Sequence, residues 1–276
     1  MPEGDTLYRV AEQLRPVLAG ETILAAESRP LRSLDAIDST KLIGRRVGSV
    51  EALGKHLVIR LDERLAIHSH LGMTGSWHVY DHGEPWREQH HGAALVLRTA
   101  ARVVVNFNPQ QLQLLAEPTL RRDAYLRRLG PDLMRADVDW QAALQRLRIH
   151  DRTPIGEAVM NQTIVAGIGN IYKSETLFLA RADPWRQVGD FDERWWLDYL
   201  TLTHQLMRRN RGGGPRQTRF ASDGQRMWVY SRRGQPCYEC GSTIRVRRQG
   251  DAGRTTYWCP QCQAPNAHQS PLLGRI

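Results

Sequence analysis

The chain has 276 residues and a mass of 31.5 kDa, enough for one large core or two modest ones, and two is the better expectation at this length. A formal net charge of +9 and a sequence pI near 9.8 point to an anionic partner such as a phosphate backbone, or else to a basic solvated surface with no specific partner. The four cysteines fall in the last fifth of the chain as two tight pairs, which argues against a distributed disulfide framework and for a reducing compartment. Glu3 and Asp5 stand where a signal peptide carries positive charge, and no apolar run approaches the roughly 18 residues of a membrane helix, so a soluble cytoplasmic monomer without membrane attachment is expected.

Residues 3–19 place Leu7, Val10, Ala11, Leu14, Val17 and Leu18 at helical spacing, with Gly20 as the stop. From Thr22 to about Glu117 the pattern turns to short β-type runs, TILAAES, RRVGSVEAL, HLVIRL, AALVLRT and RVVVNF, broken by Gly, Pro, Asp and Asn, which suggests a sandwich or barrel. An arginine-rich stretch at 121–128 and the turn Gly130-Pro131-Asp132 lead into helical periodicity at 139–147 and 154–161. After AGIGN another helix runs through Leu179, and a longer one covers 193–209. A flexible basic segment at 208–219, with three consecutive glycines, precedes the cysteine module, and residues 266–276 form a loose tail. The expected divisions are a β-rich domain at 1–120, a linker at 121–136, a helical domain at 137–232, the cysteine module at 233–265 and the tail.

Cys237-x2-Cys240 and Cys259-x2-Cys262, with eighteen residues between the pairs, have the spacing of a four-cysteine zinc ribbon whose strands are 243–248 and 255–258. Four thiolates close the coordination shell, so one structural zinc is expected, holding a hairpin tip that carries Arg254. Arg254 is otherwise a turn residue. At the other end, Met1-Pro2-Glu3 permits removal of Met1 and would leave a secondary amine able to form an iminium with a sugar carbon, although proline followed by an acid is also an ordinary helix start. Lysine is scarce: only Lys41, Lys55 and Lys173 occur, which makes each worth inspecting.

Taken in order, PEGDT, GKHL, SHLGMTGSW, RRLGPD, AGIGNIYKSE, WVYSRRGQPCYECG and GRTTYWCPQCQ resemble the formamidopyrimidine-DNA glycosylase and endonuclease VIII family over nearly the whole chain. The resemblance implies an α+β, two-domain protein: an N-terminal helix on a two-sheet β-sandwich, a helix–two-turn–helix DNA-binding domain with a zinc-ribbon hairpin, and damaged DNA between the halves. It also implies a nucleoid-associated location if the source is bacterial. Position by position, Pro2 matches the Schiff-base nucleophile, Glu3 the general acid for base departure and ring opening, and Lys55 the lysine of β-elimination and phosphate contact. Arg254 matches the arginine of δ-elimination, Asn170 a phosphate ligand at a helix start, and Arg128 a further DNA contact. Met73 lies where the family inserts an apolar wedge, and Leu112 can help fill the space of the extruded nucleotide. Read without the family, Lys55 is a surface turn residue, Asn170 a helix cap, and Met73 a core residue at a strand end.

The start PEGDT resembles the endonuclease VIII branch. Where the purine-directed branch carries an arginine pair followed by phenylalanine, this chain has Gln110, Gln111 and Leu112, which removes the arginine that reads an opposite cytosine. Oxidised pyrimidines are therefore the favoured substrates of a bifunctional glycosylase and abasic-site lyase, with oxidised purines as the alternative. A non-catalytic zinc-ribbon DNA-binding protein is the reading from another class, and only Pro2, Glu3 and Lys55 separate it from the enzyme.

Overall fold

The computed structural model describes residues 2–31, 34–62 and 64–264; Met1 and the tail expected at 266–276 lie outside the described residues. Two compact units divide the chain, Met1–Arg128 and Leu129–Ile276.

Helix α1 (Gly4–Leu18) opens the first unit. Leu7, Val10, Ala11, Leu14 and Leu18 recur at spacings of three and four and are buried, packing the helix on strand β2 (Val47–Leu53). Glu3 is its N-cap, in extended conformation (φ −129°, ψ −174°); its N–H donates to Thr6 Oγ1 (3.4 Å) and its carbonyl accepts from the Thr6 N–H (2.9 Å). Those bonds use helix-end groups that have no intrahelical partner.

Two four-stranded antiparallel sheets complete the unit. One has the order β1 (Ala25–Ser28), β6 (Ala93–Arg98), β7 (Val103–Phe107), β5 (Ser76–Tyr80); the other has β2, β3 (His56–Leu61), β4 (Leu65–His70), β8 (Gln111–Ala116). Period-two alternation turns Leu57, Ile59, Leu61, Ile67 and Leu112 of the second sheet toward Trp77, Leu95, Leu97 and Val104 of the first, and α1 seals the same core. Strands β4, β5 and β8 are additional to the five runs expected from sequence, because LAIHSH, SWHVY and QLQLLA place His, Ser or Gln between their apolar residues.

The arginine-rich stretch is partly helical. Helices α2 (Glu117–Arg122) and α3 (Ala124–Arg128) lie over the outer face of the second sheet, where Leu120 packs on Val58 and Ala66. Glu117, only 4% exposed, is held by Arg60 Nε (3.2 Å) and Arg121 Nε (3.1 Å), which supply the countercharge its burial requires.

The second unit contains α4 (Trp140–Ile149), α5 (Ile155–Ala158), α6 (Asn170–Leu179), α7 (Glu193–Arg209) and a hairpin of β9 (Arg245–Gln249) and β10 (Arg254–Trp258). Asp139 and Asp192 cap α4 and α7 by accepting the N–H of Ala142 (2.9 Å) and Trp195 (2.7 Å). The helix expected over 154–161 is a single turn, after which side chains stitch the turns leading to α6. Gln162 donates to the carbonyls of Met160 (2.8 Å) and Ile168 (3.0 Å) and accepts the Gly167 N–H (3.0 Å), while Asn161 Oδ1 takes the Thr163 N–H (2.9 Å). Gly130 crosses so close that a Cβ there would lie 2.2 Å from the Ile164 carbonyl oxygen. All ten residues of α6 are buried, so it is the central helix of this unit.

Candidate active site and phosphate-binding residues

In the first unit Pro2 is half-buried and Glu3 wholly buried, at 0% exposure, at the N-terminal end of α1. The N-terminal end of a helix carries a positive potential, which suits a carboxylate. Lys55 occupies a two-residue hairpin loop with Gly54 between paired Leu53 and His56; Gly54 has φ +57°, the left-handed value that the first loop position of such a turn needs. Lys55 is half-buried.

Beside this turn lies a group the sequence reading did not single out. His56, His68 and His70 share the outer face of the second sheet, with His56 Nδ1 and His68 Nε2 2.9 Å apart and the ring of His70 4.8 Å from that of His56. Tyr125 of α3 covers His56 edge-on at 5.2 Å. Burial, aided by His68, His70 and Lys55, drives the His56 imidazole down to about 3. His68 is also held below its ordinary value by burial, as is His70, where Lys55 and His68 add to burial and a hydrogen bond to Gln110 opposes. The three rings are therefore neutral near pH 7, and Lys55 is the positive charge of this corner.

Met73 is 60% exposed at the tip of the loop joining β4 to β5, as a wedge must be. Its loop packs on the one carrying Gln110. The Gly72 N–H donates to His70 Nδ1 (3.2 Å), the Gln110 N–H donates to the His70 carbonyl (2.9 Å), and Gly72 (φ +63°) leaves so little room that a Cβ would fall 2.7 Å from Gln110 Cβ. Leu112 is a correction: it faces the core between the sheets at 3% exposure and cannot fill a gap in a duplex. The period of β8 explains this, since Gln111 and Gln113 take the outer face and Leu112 the inner one. Arg128 is exposed at the end of α3, its Nε donating to the Ala124 carbonyl (2.9 Å).

In the second unit Asn170 is the first residue of α6, and Gly169 rather than Asn170 is its N-cap. The Asn170 side chain is 3% exposed and reaches the ribbon, Nδ2 donating to Thr255 Oγ1 (3.2 Å). It is a strut between helix and hairpin that uses one of the two N–H donors of the amide. Arg254, next along β10, is exposed. Glu175, on the same helix, is fully buried and accepts the backbone N–H groups of Trp228 (2.7 Å), Val229 (2.8 Å) and Tyr230 (2.7 Å) as well as the Thr218 hydroxyl. Burial pushes its carboxyl up and those donors pull it back. It fastens the chain at both ends of residues 219–227, a role that a lone Glu in NIYKSE did not signal.

The Sγ atoms of Cys237, Cys240, Cys259 and Cys262 all lie within 4.8 Å of one another, with Cys237 and Cys262 3.8 Å apart and Cys240 and Cys259 3.4 Å apart. Zn–S bonds of about 2.3 Å arranged as a tetrahedron separate thiolates by about 3.8 Å, so the donor set fits zinc and leaves no open position.

Residues 1–112 match the family model for the formamidopyrimidine-DNA glycosylase N-terminal domain, and residues 129–208 that for the formamidopyrimidine-DNA glycosylase H2TH domain. The chain is 39% identical over 267 residues to the probable endonuclease 8 2 of Streptomyces coelicolor, covering 96% of this chain and 94% of that protein. It is 34% identical over 265 residues to the DNA-(apurinic or apyrimidinic site) lyase Nei2 of Mycolicibacterium smegmatis, covering 95% and 99%. A crystal structure of Lactococcus lactis Fpg (MutM) with N7-benzyl-Fapy-dG DNA matches with a TM-score of 0.79 at 24% identity, over 95% of this chain and 100% of that one, a likeness of fold.

Proposed function

Because the chain belongs to the family of formamidopyrimidine-DNA glycosylases and endonuclease 8 enzymes, we propose that it is a bifunctional DNA glycosylase and abasic-site lyase that excises oxidised bases, pyrimidines first. The observation that carries this reading is the dipeptide Pro2-Glu3 at the head of α1, a secondary amine beside a wholly buried carboxyl group. Gln110 and Gln111, in place of paired arginines, support pyrimidines.

The chemistry begins once Met1 is removed. The Pro2 amine in its neutral form attacks C1′ of an extruded nucleotide through its lone pair. Glu3 protonates the base as its bond to C1′ breaks, and the resulting carboxylate takes the proton that the Pro2 nitrogen sheds and passes it to the sugar ring oxygen, so that the ring opens and an iminium forms between Pro2 and C1′. The iminium draws electrons from the C2′–H bond. Loss of that proton expels the 3′ oxygen in β-elimination, with Lys55 beside the phosphate. A second elimination expels the 5′ oxygen with Arg254 on its phosphate, and water then releases Pro2. Zinc held by the four cysteines supplies no chemistry and fixes the hairpin that presents Arg254.

Borohydride added during cleavage of abasic-site DNA should convert the iminium to a stable amine, and peptide mapping should place the adduct on Pro2. An adduct on Lys55, or none in active protein, overturns the assignment. A purified protein that retains Met1 and binds DNA without cleaving it establishes the non-catalytic reading instead.

A further inference from the structure

Three polar side chains on one face of α6, Asn170, Lys173 and Ser174, all reach β10. Besides the Asn170 bond already described, Lys173 Nζ donates to the Thr255 carbonyl (3.2 Å) and Thr256 Oγ1 (2.8 Å), and Ser174 Oγ accepts the Tyr257 N–H (3.4 Å). Spacings of three and four make this a single helix stripe. Lys173 is 1% exposed, so it cannot touch a substrate, yet an ammonium is costly to bury for packing alone. It also anchors a chain of buried polar groups: Thr256 Oγ1 donates to Gln249 Oε1 (2.8 Å), and Gln249 Nε2 donates to the Pro184 carbonyl (2.8 Å).

We propose that Lys173 is a positioning residue: its buried ammonium pins β10 through the Thr255 carbonyl and the Thr256 hydroxyl, so that Arg254, one residue before Thr255, and Asn170, one turn earlier on α6, are held together on the phosphates of the reacting nucleotide. This rests on the function proposed above. A charged donor shared by a strand carbonyl and a neighbouring hydroxyl sets the height and tilt of the strand more firmly than apolar contact does, because such bonds are directional. With it lost, the hairpin retains its thiolates but the Arg254 end of β10 is free to shift. Elimination that needs Arg254 should then suffer more than elimination that does not.

The test uses the full-length, zinc-loaded protein and compares Lys173→Met with wild type. Affinity for DNA carrying a stable tetrahydrofuran abasic analogue should fall about tenfold, and the ratio of δ- to β-elimination product on abasic DNA should fall by about the same factor, the scale of one lost charged hydrogen bond. Zinc content and the β-elimination rate at saturating DNA should stay within about twofold of wild type, well inside that tenfold effect. Thr256→Val removes one acceptor while preserving shape and should move both readouts the same way, whereas Thr256→Ser restores the acceptor and should return them. These two variants decide the matter if Lys173→Met does not fold. Affinity and product ratio both within about twofold of wild type in folded Lys173→Met or Thr256→Val overturn the proposal, since a lost charged bond predicts more. A wild-type protein that forms no borohydride-trapped adduct refutes the functional reading instead, and the affinity comparison still decides the place of Lys173.

Discussion

Twenty buried apolar residues form one cluster behind Pro2 and Glu3 in the first unit, whereas the cluster under the cysteine hairpin has five, two of them cysteines. The first unit thus has a core large enough to hold its shape unaided. The hairpin replaces missing apolar area with thiolates for a metal and a row of hydrogen bonds to α6. Pro2, Glu3 and Lys55 therefore stand on a scaffold with a large apolar core and Arg254 on a hairpin that relies on its thiolates, so the two should fail separately.

The largest separation is expected from Glu3→Gln. Base excision should drop by about 10²–10⁴, while cleavage of a preformed abasic site is reduced far less, because that substrate has no base left to expel. Single-turnover rates on both substrates check this, and equal losses erase the assigned role of Glu3. Stripping the metal with a chelator probes the other unit: affinity for abasic-analogue DNA should fall by about 10²-fold or more as the Asn170 and Arg254 contacts scatter. The near-ultraviolet signal of Trp77 and Trp86, followed in a variant with the other tryptophans replaced, should persist. Its collapse along with DNA binding would show that the units do not stand apart.

A smaller effect concerns acid. His56 is depressed to about 3 in the fold, so it takes up a proton on unfolding at any pH between that value and its ordinary 6.5. Its contribution is fully present above pH 6.5 and is lost as the pH falls toward 3, at about 1.4 kcal/mol per pH unit, with His68 and His70 shifting in the same direction. Denaturant titrations of His56→Phe between pH 7 and 4 should show a shallower loss than wild type, and parallel curves would place the acid sensitivity elsewhere. Smallest of all, excision of an oxidised pyrimidine should vary by well under about tenfold among the four opposite bases, since no arginine fork stands at positions 110 and 111. A hundredfold preference for cytosine would remove the case for pyrimidines too.

The same contrast explains what was legible in the sequence. Helices α1, α6 and α7 and strand β3 stood out by the spacing of their apolar residues, and the cysteine spacing marked the ribbon. Strands β4 and β8 stayed hidden because His68, His70, Gln111 and Gln113 take the outer-face positions and break the apolar run. Helices α2 and α3 were concealed by their arginines, though Leu120 alone supplies much of their anchor. Leu112 was misplaced because an apolar residue after two glutamines says nothing about which face it takes. The scarcity of lysine flagged Lys173, but only the fold reveals that it bonds to β10.

The crowding at Gly72 has a consequence for how such an enzyme could acquire a new taste in bases. Gln110 already occupies the space where a side chain at position 72 would begin, its Cβ 2.7 Å and its Oε1 2.9 Å from that point. Re-arming position 110 with arginine is open only while position 72 remains bare, and any side chain at 72 first evicts whatever stands at 110. The two positions are thus coupled: a change of side chain at 110 is open while 72 stays glycine, and one at 72 forces the loop carrying 110 to move.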